Sequence, residues 1–251
     1  MTDAVCHTVL YTIARPRRPL LNDLAGHVRK LSATGVRNMA LELFVKAGKD
    51  GNSLGDCPFS HRANMTLRVK GLDFKITTVN TYDKPKWFLD MYAKGTVPVL
   101  KKGGEVIGDS AIIAERLEKD HPEPSMKASD EACKIDANLY PKFIPFVKNK
   151  DASQDETLKK PLVEELKKIN DILAKSPGKF VEGDTLKHPD CSMLPKLYHI
   201  KVAGKHYKNF EMPADCGALT KYMETAFDTD VFKASQYPEE EVIYGWSMHM
   251  K

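Results

Sequence analysis

The sequence predicts two folded parts in series, an α/β domain over residues 41–120 and an all-helical domain over residues 129–251. Three observations support this division. Short strand-like runs alternate with helical runs up to Asp120. A connection with two prolines then spans residues 121–128. Beyond it, the apolar residues recur only at the spacing of helices.

The α/β domain is predicted to begin with a buried strand, "LELFVKA", over Leu41–Ala47. A loop rich in Gly, Asn and Asp follows. Pro58 then stands where a first helical residue would, because its missing N–H costs nothing at that position. We expect the helix to run to Lys70, where Gly71 supplies a C-terminal stop.

The rest of this domain alternates in the same way. "DFKITTV" has the alternation of a strand, and "KPKWFLDMYAKG" predicts a short helix from Pro85 to Gly95. "VPVLKKGGEVIG" reads as a β-hairpin, since two apolar runs flank Lys-Lys-Gly-Gly. "DSAIIAERLEKDHP" predicts a helix capped by Asp109 or Ser110.

The second domain is predicted to be built around one apolar helix. "PDCSMLPKLYHIKVAGKHY" is the least polar stretch, which is typical of a central helix. Two amphipathic helices are expected before it, and residues 214–251 predict one or two more short helices. At the start of the central helix, Lys187 stands where a Ser or Thr cap is favoured, so Asp190 has to compensate for a cap worth about 1 kcal/mol.

Composition excludes several classes of protein. Net charge is only +4, from 38 basic and 34 acidic residues that are interspersed, so no nucleic-acid partner is expected. No run of 18 apolar residues exists, which disfavours a constitutive membrane span. The 5 cysteines lack C-x-x-C spacing and a metal-ligand cluster, so we expect free thiols in an intracellular chain and no metal site. They are Cys6, Cys57, Cys133, Cys191 and Cys216.

Residues 1–40 are predicted to be a basic, flexible N-terminal extension. Their basic, Ser- and Thr-containing composition also overlaps with that of a mitochondrial transit peptide, and this alternative stays open.

The first candidate functional residue is Cys57, which stands immediately before the predicted first helical residue. A helix N-terminus presents unpaired N–H groups and a partial positive charge, which stabilise a thiolate and lower its pKa. We therefore predict that Cys57 is a nucleophile, against the alternative of a small buried residue. Cys133 and Cys191 fall in apolar helical patterns and are expected in the core.

Two later motifs strengthen this prediction. "TVP" heads the hairpin, where a cis proline would expose the backbone of Val97 to an extended peptide ligand. "GDSAI" opens the next helix, whose first N–H groups, at Asp109 and Ser110, are predicted to hold a carboxylate.

Three segments resemble the chloride intracellular channel family, a relative of omega-class glutathione transferases and plant dehydroascorbate reductases. They are "ELFVKAGKDGNSLGDCPFSHR", "VKGLDFKITTVNT" and "DCSMLPKLYHIKV", and the likeness covers roughly residues 41–250. The resemblance implies a thioredoxin-like N-terminal domain, an all-helical C-terminal domain of the glutathione-transferase type, and a glutathione site at their cleft. Cys57 would form a mixed disulfide with glutathione, and Pro98 would be cis. The implied glutathione-binding residues are Pro58, Phe59, Val97, Pro98, Asp109 and Ser110.

Ser60 decides the kind of thiol chemistry. Ser60 occupies the position of the second cysteine in a C-x-x-C motif, so Cys57 cannot form a disulfide within its own helix. Ser60 is expected to support the thiolate instead. We predict a monothiol, glutathione-dependent oxidoreductase of the glutaredoxin or dehydroascorbate reductase type, acting on small or protein disulfide substrates in the cytoplasm.

Two other functions stay open. The family name implies a chloride channel that associates reversibly with membranes, and a non-enzymatic scaffold with this fold is the second alternative. The stretch that would cross the membrane, Pro58 to Val79, argues against the channel because each central charge costs about 2.5–3.5 kcal/mol. Its charged residues are Arg62, Arg68, Lys70, Asp73 and Lys75, and we expect a surface-facing helix and strand instead.

Overall fold

The structure, a computed structural model, describes residues 8–9 and 40–250. The strands are β1 (Thr8–Val9), β2 (Leu41–Lys46), β3 (Phe74–Val79), β4 (Val99–Lys102) and β5 (Glu105–Gly108). The helices are α1 (Pro58–Val69), α2 (Lys86–Met91), α3 (Ser110–Asp120), α4 (Leu139–Lys148), α5 (Asp155–Leu173), α6 (His188–Lys208), α7 (Gly217–Phe227), α8 (Asp230–Ser235) and α9 (Glu239–His249). Two 3-10 turns, Ala132–Lys134 and Ala152–Gln154, precede α4 and α5.

The five described strands form one mixed sheet in the order β1-β3-β2-β4-β5. β2 and β3 run parallel, and the other neighbouring pairs are antiparallel. Since side chains alternate across a strand, the two faces carry separate apolar clusters. Leu43 and Leu100 join α1 and α3 on one face, while Phe44 and Val99 join Phe88 of α2 on the other.

Strand register places the predicted site residues at one end of the sheet. Val99 of β4 lies opposite Gly108 of β5, so the residues just before β4 are next to those just after β5. Val99 also pairs with Phe44, which brings the C-terminal end of β2 to the same edge. The start of α1, the Val97–Pro98 segment and the start of α3 therefore converge.

The second half is helical and is organised around α6. Most of α6 is buried, including Cys191, Leu194 and His199, which is why its sequence has no clear polar face. Asp190 keeps its half of the capping box and adds a bond to the preceding loop, because its carboxylate accepts hydrogen bonds from the backbone N–H groups of Lys187, at 2.8 Å, and Val181, at 3.0 Å. The prediction of a central apolar helix is confirmed.

The predicted order of strand, helix, strand, helix, hairpin and helix is confirmed, with three differences in detail. α2 ends at Met91 rather than at Gly95. Residues 214–250 hold three helices instead of one or two. Cys133 is exposed, because it lies in a 3-10 turn whose neighbours Ala132 and Ile135 point inward, so its prediction as a core residue is wrong.

The expectation of a surface-facing α1 is also wrong. The helix lies between the sheet and the helical half, so that Leu67 contributes to the sheet cluster and Met65 to the helical one. Lys70, at its C-terminal cap, is buried and pairs with Glu118 at 2.5 Å. Among the described residues, no helix is both long and apolar enough to cross a membrane.

The predicted N-terminal extension falls mostly outside the described residues, which omit 1–7 and 10–39. Within it, Thr8–Val9 pairs antiparallel with Thr77 and Ile76 of β3. This short piece pairs with the edge of the sheet, and the prediction of a flexible extension stays a prediction for the other residues.

Candidate active site

Cys57 is the N-cap residue of α1, as the sequence predicted. Its backbone is extended, Pro58 occupies the first helical position, and Cys57 Sγ accepts a hydrogen bond from the backbone N–H of Ser60 at 3.4 Å. The residue is partly exposed. A thiolate formed here would be held by the unpaired N–H groups at the start of the helix.

The predicted lowering of the Cys57 pKa is wrong in direction. Burial raises the pKa of the thiol, and the charge of Asp56 adds to this effect, whereas the nearby hydroxyl and the backbone N–H of Ser60 lower it. The net shift is upward, because the protein packed around the start of the helix partly covers the sulfur and reduces its hydration. The position of Cys57 at the start of a helix does not predict how far other parts of the chain bury it.

A cavity of about 510 Å³ opens directly above Cys57. Among the predicted site residues, Cys57, Pro58, Phe59 and Val97 line it. Pro98 is buried beside it, and the Val97–Pro98 peptide bond is cis as expected. Both halves of the chain contribute, since the lining also includes Lys46, Asp56, Thr81, Lys84, Gly95, Thr96, Tyr140, Ile144, Lys148, His199, Trp246 and His249.

Asp109 and Ser110 do not line this cavity but lie at the adjacent end of the hairpin. Asp109 has a positive φ of 74° and caps α3 with its own side chain, which accepts from the N–H groups of Ala111, at 2.7 Å, and Ile112, at 3.4 Å. These two N–H groups are therefore already engaged. A ligand carboxylate held here would depend on Ser110, while the Asp109 carboxylate itself would attract a ligand ammonium.

Lys46 and Asp56 form a buried ion pair at the base of the cavity, with Nζ 2.6 Å from Oδ1. Burial disfavours the ammonium of Lys46, but the charge of Asp56 and the hydrogen bonds to Asp56 and Tyr82 together outweigh it, so the pKa of Lys46 is raised. Gly245 of α9 makes room for this pair, because a methyl group at that position would lie 1.7 Å from Asp56 Oδ2. Helix α9 of the helical half thus packs closely against the pair and contributes to its burial.

His199 has a defined tautomer. Trp246 Nε1 is only a donor, and it donates to His199 Nδ1 at 3.0 Å. Burial lowers the pKa of His199 to about 3, so the ring is neutral and its proton resides on Nε2. Nε2 therefore donates to the Tyr237 hydroxyl at 2.6 Å. The indole, imidazole and phenol form a directed chain of hydrogen bonds next to the cavity.

Tyr140 extends from the first turn of α4 into the cavity. Its hydroxyl is buried and has no hydrogen-bond partner within the described residues. Lys84 and Lys148 are exposed at the mouth, so positive charge surrounds the entrance and favours anionic ligands. Phe59 and Ile144 leave apolar surface at the same mouth, with 47% and 37% of their areas exposed.

The sequence prediction missed the residues from the helical half, above all Tyr140, His199 and Trp246. They come from three helices far from Cys57 in the chain, and no local motif connects them. Lys46 could have been flagged as the one lysine in a strand predicted to be buried. Asp56 was visible as an acid beside the cysteine.

A larger cavity, of about 720 Å³, lies between α6 and α7 and shares no residue with the one at Cys57. It holds no cysteine or histidine, and its lysines contact acidic or aromatic neighbours. In residues 40–250, no group of His, Cys, Asp and Glu is arranged to hold a metal ion. The cavity above Cys57 is therefore the candidate active site.

The fold and the site define a class: a thioredoxin-like domain with a single cysteine at a helix start, covered by an all-helical domain. Residues 56–120 match the family model "Glutathione S-transferase, N-terminal domain". Glutathione S-transferase DHAR2 of Arabidopsis thaliana is 38% identical over 209 residues, covering 83% of this chain and 97% of that protein. A probable cytosolic glutathione S-transferase DHAR1 of Oryza sativa is 34% identical, covering 83% and 98%. The chain belongs to the glutathione S-transferase superfamily.

Solved structures agree on the fold. Dehydroascorbate reductase of Chlamydomonas reinhardtii has a TM-score of 0.75 and 34% identity, covering 84% of this chain and 99% of that one. The CLIC homologue EXC-4 of C. elegans has a TM-score of 0.76 but 23% identity, covering 85% and 87%. The fold class predicted from the sequence is confirmed, and so is glutathione as the co-substrate of its homologues.

Proposed function

We propose that this protein is a monothiol, glutathione-dependent dehydroascorbate reductase in which Cys57 is the nucleophile. The observation that carries the proposal is the position of Cys57 Sγ, at the start of α1 and in the wall of a cavity built by both halves of the chain. The relatives named as DHAR proteins and the Chlamydomonas dehydroascorbate reductase supply the substrate class.

The proposed reaction transfers two electrons from two glutathione molecules to dehydroascorbate. The Cys57 thiolate attacks a carbonyl carbon of the substrate, and the C=O electron pair moves to oxygen. A first glutathione thiolate then attacks Sγ, the S–C bond breaks, and its electron pair leaves with the carbon, which takes up protons as ascorbate. A second glutathione thiolate attacks the glutathionyl sulfur, which releases glutathione disulfide and regenerates the Cys57 thiolate.

Each predicted residue has a place in this proposal. Pro58 and Phe59 contact glutathione at the start of α1, and the Val97 backbone pairs with its peptide backbone. Ser110 holds the γ-glutamyl carboxylate, while Asp109 accepts from the neighbouring ammonium. Ser60 supports the thiolate from below.

Cys57 has to work without a partner thiol on this proposal. Among the cysteines in the described part of the chain, Cys191 and Cys216 are buried, and Cys133, although exposed, does not line the cavity. A second glutathione therefore resolves the mixed disulfide. The exposed surface of Phe59 and Ile144 at the mouth supports glutathionylated proteins as further substrates, as predicted from the sequence.

The test is the steady-state rate of glutathione-dependent dehydroascorbate reduction by wild type, Cys57→Ser and Cys133→Ser. We expect Cys57→Ser to lose at least about a hundredfold in rate, because the nucleophile is gone, and Cys133→Ser to match wild type. A Cys57→Ser protein with the wild-type rate would refute the proposal and favour the scaffold interpretation.

The membrane channel is not part of this proposal. Its support is the likeness to EXC-4, and at 23% identity that likeness concerns the fold. The stretch Pro58–Val79 also supplies core packing to both halves of the protein, so insertion into a bilayer would require dismantling α1 and β3. We propose a cytoplasmic enzyme, as predicted from the sequence; its relatives include both a cytosolic protein of Oryza sativa and a chloroplastic protein of Arabidopsis thaliana.

A further inference from the structure

The hydroxyl of Tyr140 differs from those of three other buried or partly buried tyrosines in the helical half. Tyr198 donates to the carbonyl of Tyr237, Tyr207 to that of Ile243, and Tyr222 to the carboxylate of Asp190. The Tyr140 hydroxyl is also buried, yet it has no such partner in the described part of the chain. Buried hydroxyls without a partner are rare in folded proteins, so this one calls for an explanation.

The location of Tyr140 supplies that explanation. The residue lines the cavity that contains Cys57, and ring contacts to Phe143, at 6.3 Å, and His199, at 6.0 Å, hold its side chain in place. It makes no hydrogen bond to Cys57 Sγ. Tyr140 and Cys57 thus line one cavity of about 510 Å³, which offers space for a ligand group next to both residues.

The protonation state of Tyr140 fits a donor. Burial raises the pKa of its phenol well above the ordinary value, and negative charge on Cys57 and Asp56 raises it further. The group therefore keeps its proton while Cys57 is a thiolate. It can donate a hydrogen bond throughout the reaction but cannot act as a base.

We propose that Tyr140 Oη donates a hydrogen bond to the substrate oxygen that gains charge when Cys57 attacks the adjacent carbon. This inference rests on the proposed function. In the attack, the S–C bond forms, the C=O π pair moves to oxygen, and Tyr140 stabilises the resulting oxyanion without giving up its proton. Tyr140 is then a catalytic residue for carbonyl substrates, because donors aimed at a developing oxyanion stabilise the transition state more than the ground state.

The same geometry predicts selectivity between substrate classes. A disulfide attacked by Cys57 places its developing charge on a leaving sulfur, and no oxyanion forms between Sγ and Tyr140 Oη. Loss of the hydroxyl should therefore slow the reduction of dehydroascorbate and spare the reduction of a glutathionylated peptide. A purely structural role for Tyr140 would affect both reactions alike.

The experiment compares Tyr140→Phe with Tyr207→Phe, a matched loss of one phenol hydroxyl remote from the cavity. The kcat is measured with dehydroascorbate and with a glutathionylated peptide, each at saturating glutathione, and the pKa of Cys57 is measured by the pH dependence of its alkylation. We expect Tyr140→Phe to lower kcat for dehydroascorbate by about a hundredfold, as for loss of one oxyanion donor. The peptide rate and the Cys57 pKa should remain those of wild type.

Other outcomes would overturn the inference. Equal losses on both substrates, or a raised Cys57 pKa in Tyr140→Phe, would mean that the hydroxyl supports the thiolate instead. A wild-type rate with dehydroascorbate would leave Tyr140 with no catalytic role. If Cys57→Ser retained activity, the proposed function itself would fail, and that result is separable because it does not involve Tyr140.

Discussion

Trp246 Nε1 and His199 Nδ1 are joined by a buried hydrogen bond of 3.0 Å, and this contact decides which nitrogen of the histidine carries the proton. Trp246 comes from α9 and His199 from α6, so two helices of the second half together set the polarity of the wall that faces Cys57. The hydrogen bond between Trp246 and His199 depends on how α6 and α9 pack together, and both residues line the cavity that contains Cys57.

The first prediction is that Trp246→Phe damages both stability and turnover. Phenylalanine cannot donate to His199 Nδ1, so the histidine is left with an unsatisfied buried nitrogen and loses its fixed tautomer. We expect the free energy of unfolding to fall by about 1–3 kcal/mol and the rate of dehydroascorbate reduction to fall about tenfold. Trp87→Phe is the matched control, since the chain has 2 tryptophans and Trp87 is 40% exposed on α2.

Denaturant unfolding and steady-state kinetics measure both effects. The Trp87→Phe protein also keeps Trp246 as its one indole, so its fluorescence should change when glutathione occupies the cavity. Equal stability and activity in both variants would show that the indole hydrogen bond is dispensable.

The second prediction concerns Gly245, where a Cβ would lie 1.7 Å from the Asp56 carboxylate. Gly245→Ala should push Asp56 away from Lys46 and leave the buried ammonium poorly paired, at a cost of about 3–5 kcal/mol. The control is Gly217→Ala at the start of α7, where a Cβ meets nothing within 4 Å. That change should be neutral or stabilise the protein by up to about 1 kcal/mol. Thermal unfolding of the two variants compares them directly, and similar melting temperatures would contradict the prediction.

The third prediction is a loss of stability in mild acid. Burial lowers the pKa values of both His61 and His199 to about 3. A histidine in the unfolded chain has a pKa of about 6.5, so below this pH the unfolded chain binds protons that the folded chain does not bind. The stability that is present above pH 6.5 is therefore lost as the pH falls toward 3. Each histidine contributes a slope of about 1.4 kcal/mol per pH unit in that window.

Free energies of unfolding measured between pH 7.5 and about 5 check this slope. His61→Gln should lower the slope of the unfolding free energy against pH by about 1.4 kcal/mol per pH unit, the contribution of one histidine. His206→Gln changes an exposed residue and should give the same slope as wild type. Parallel profiles for wild type and His61→Gln would contradict the assignment of the acid sensitivity to buried histidines.

The fourth prediction concerns Ser60, whose hydroxyl is buried below Cys57 and lowers the pKa of the thiol. Ser60→Ala keeps the backbone N–H that bonds to Sγ but removes the hydroxyl. The Cys57 pKa should therefore rise further, and alkylation by iodoacetamide at neutral pH should slow. Ser235→Ala, a buried serine that contacts His61, should leave the alkylation profile unchanged. A faster reaction in Ser60→Ala would reverse the assigned role.

The N-terminal half was largely predictable because its signals are local. A proline after Cys57, a glycine pair between two apolar runs and an acid before Ser110 each report on the few residues around them, and helix α1, the hairpin and the cap of α3 lie where those signals indicate. The order of elements then fixes the topology, since short connections leave few alternatives.

The remainder of the site depends on contacts that sequence spacing does not encode. Tyr140, His199 and Trp246 line the cavity at Cys57 only because α4, α6 and α9 pack beside the sheet domain. The same packing buries the thiol, which is why its pKa moves upward although its position at the helix start favours the opposite. Cys133 was misjudged because a 3-10 turn interrupts the helical pattern on which its burial was inferred.

The measurement that tests the central claim most directly is the location of glutathione after turnover. The protein is incubated with dehydroascorbate and glutathione, quenched with acid, and mapped by peptide mass at each cysteine. We predict a glutathione adduct on Cys57 with Cys133 largely free, although Cys133 is the more exposed thiol. An adduct found on Cys133 while Cys57 stays unmodified would contradict the account.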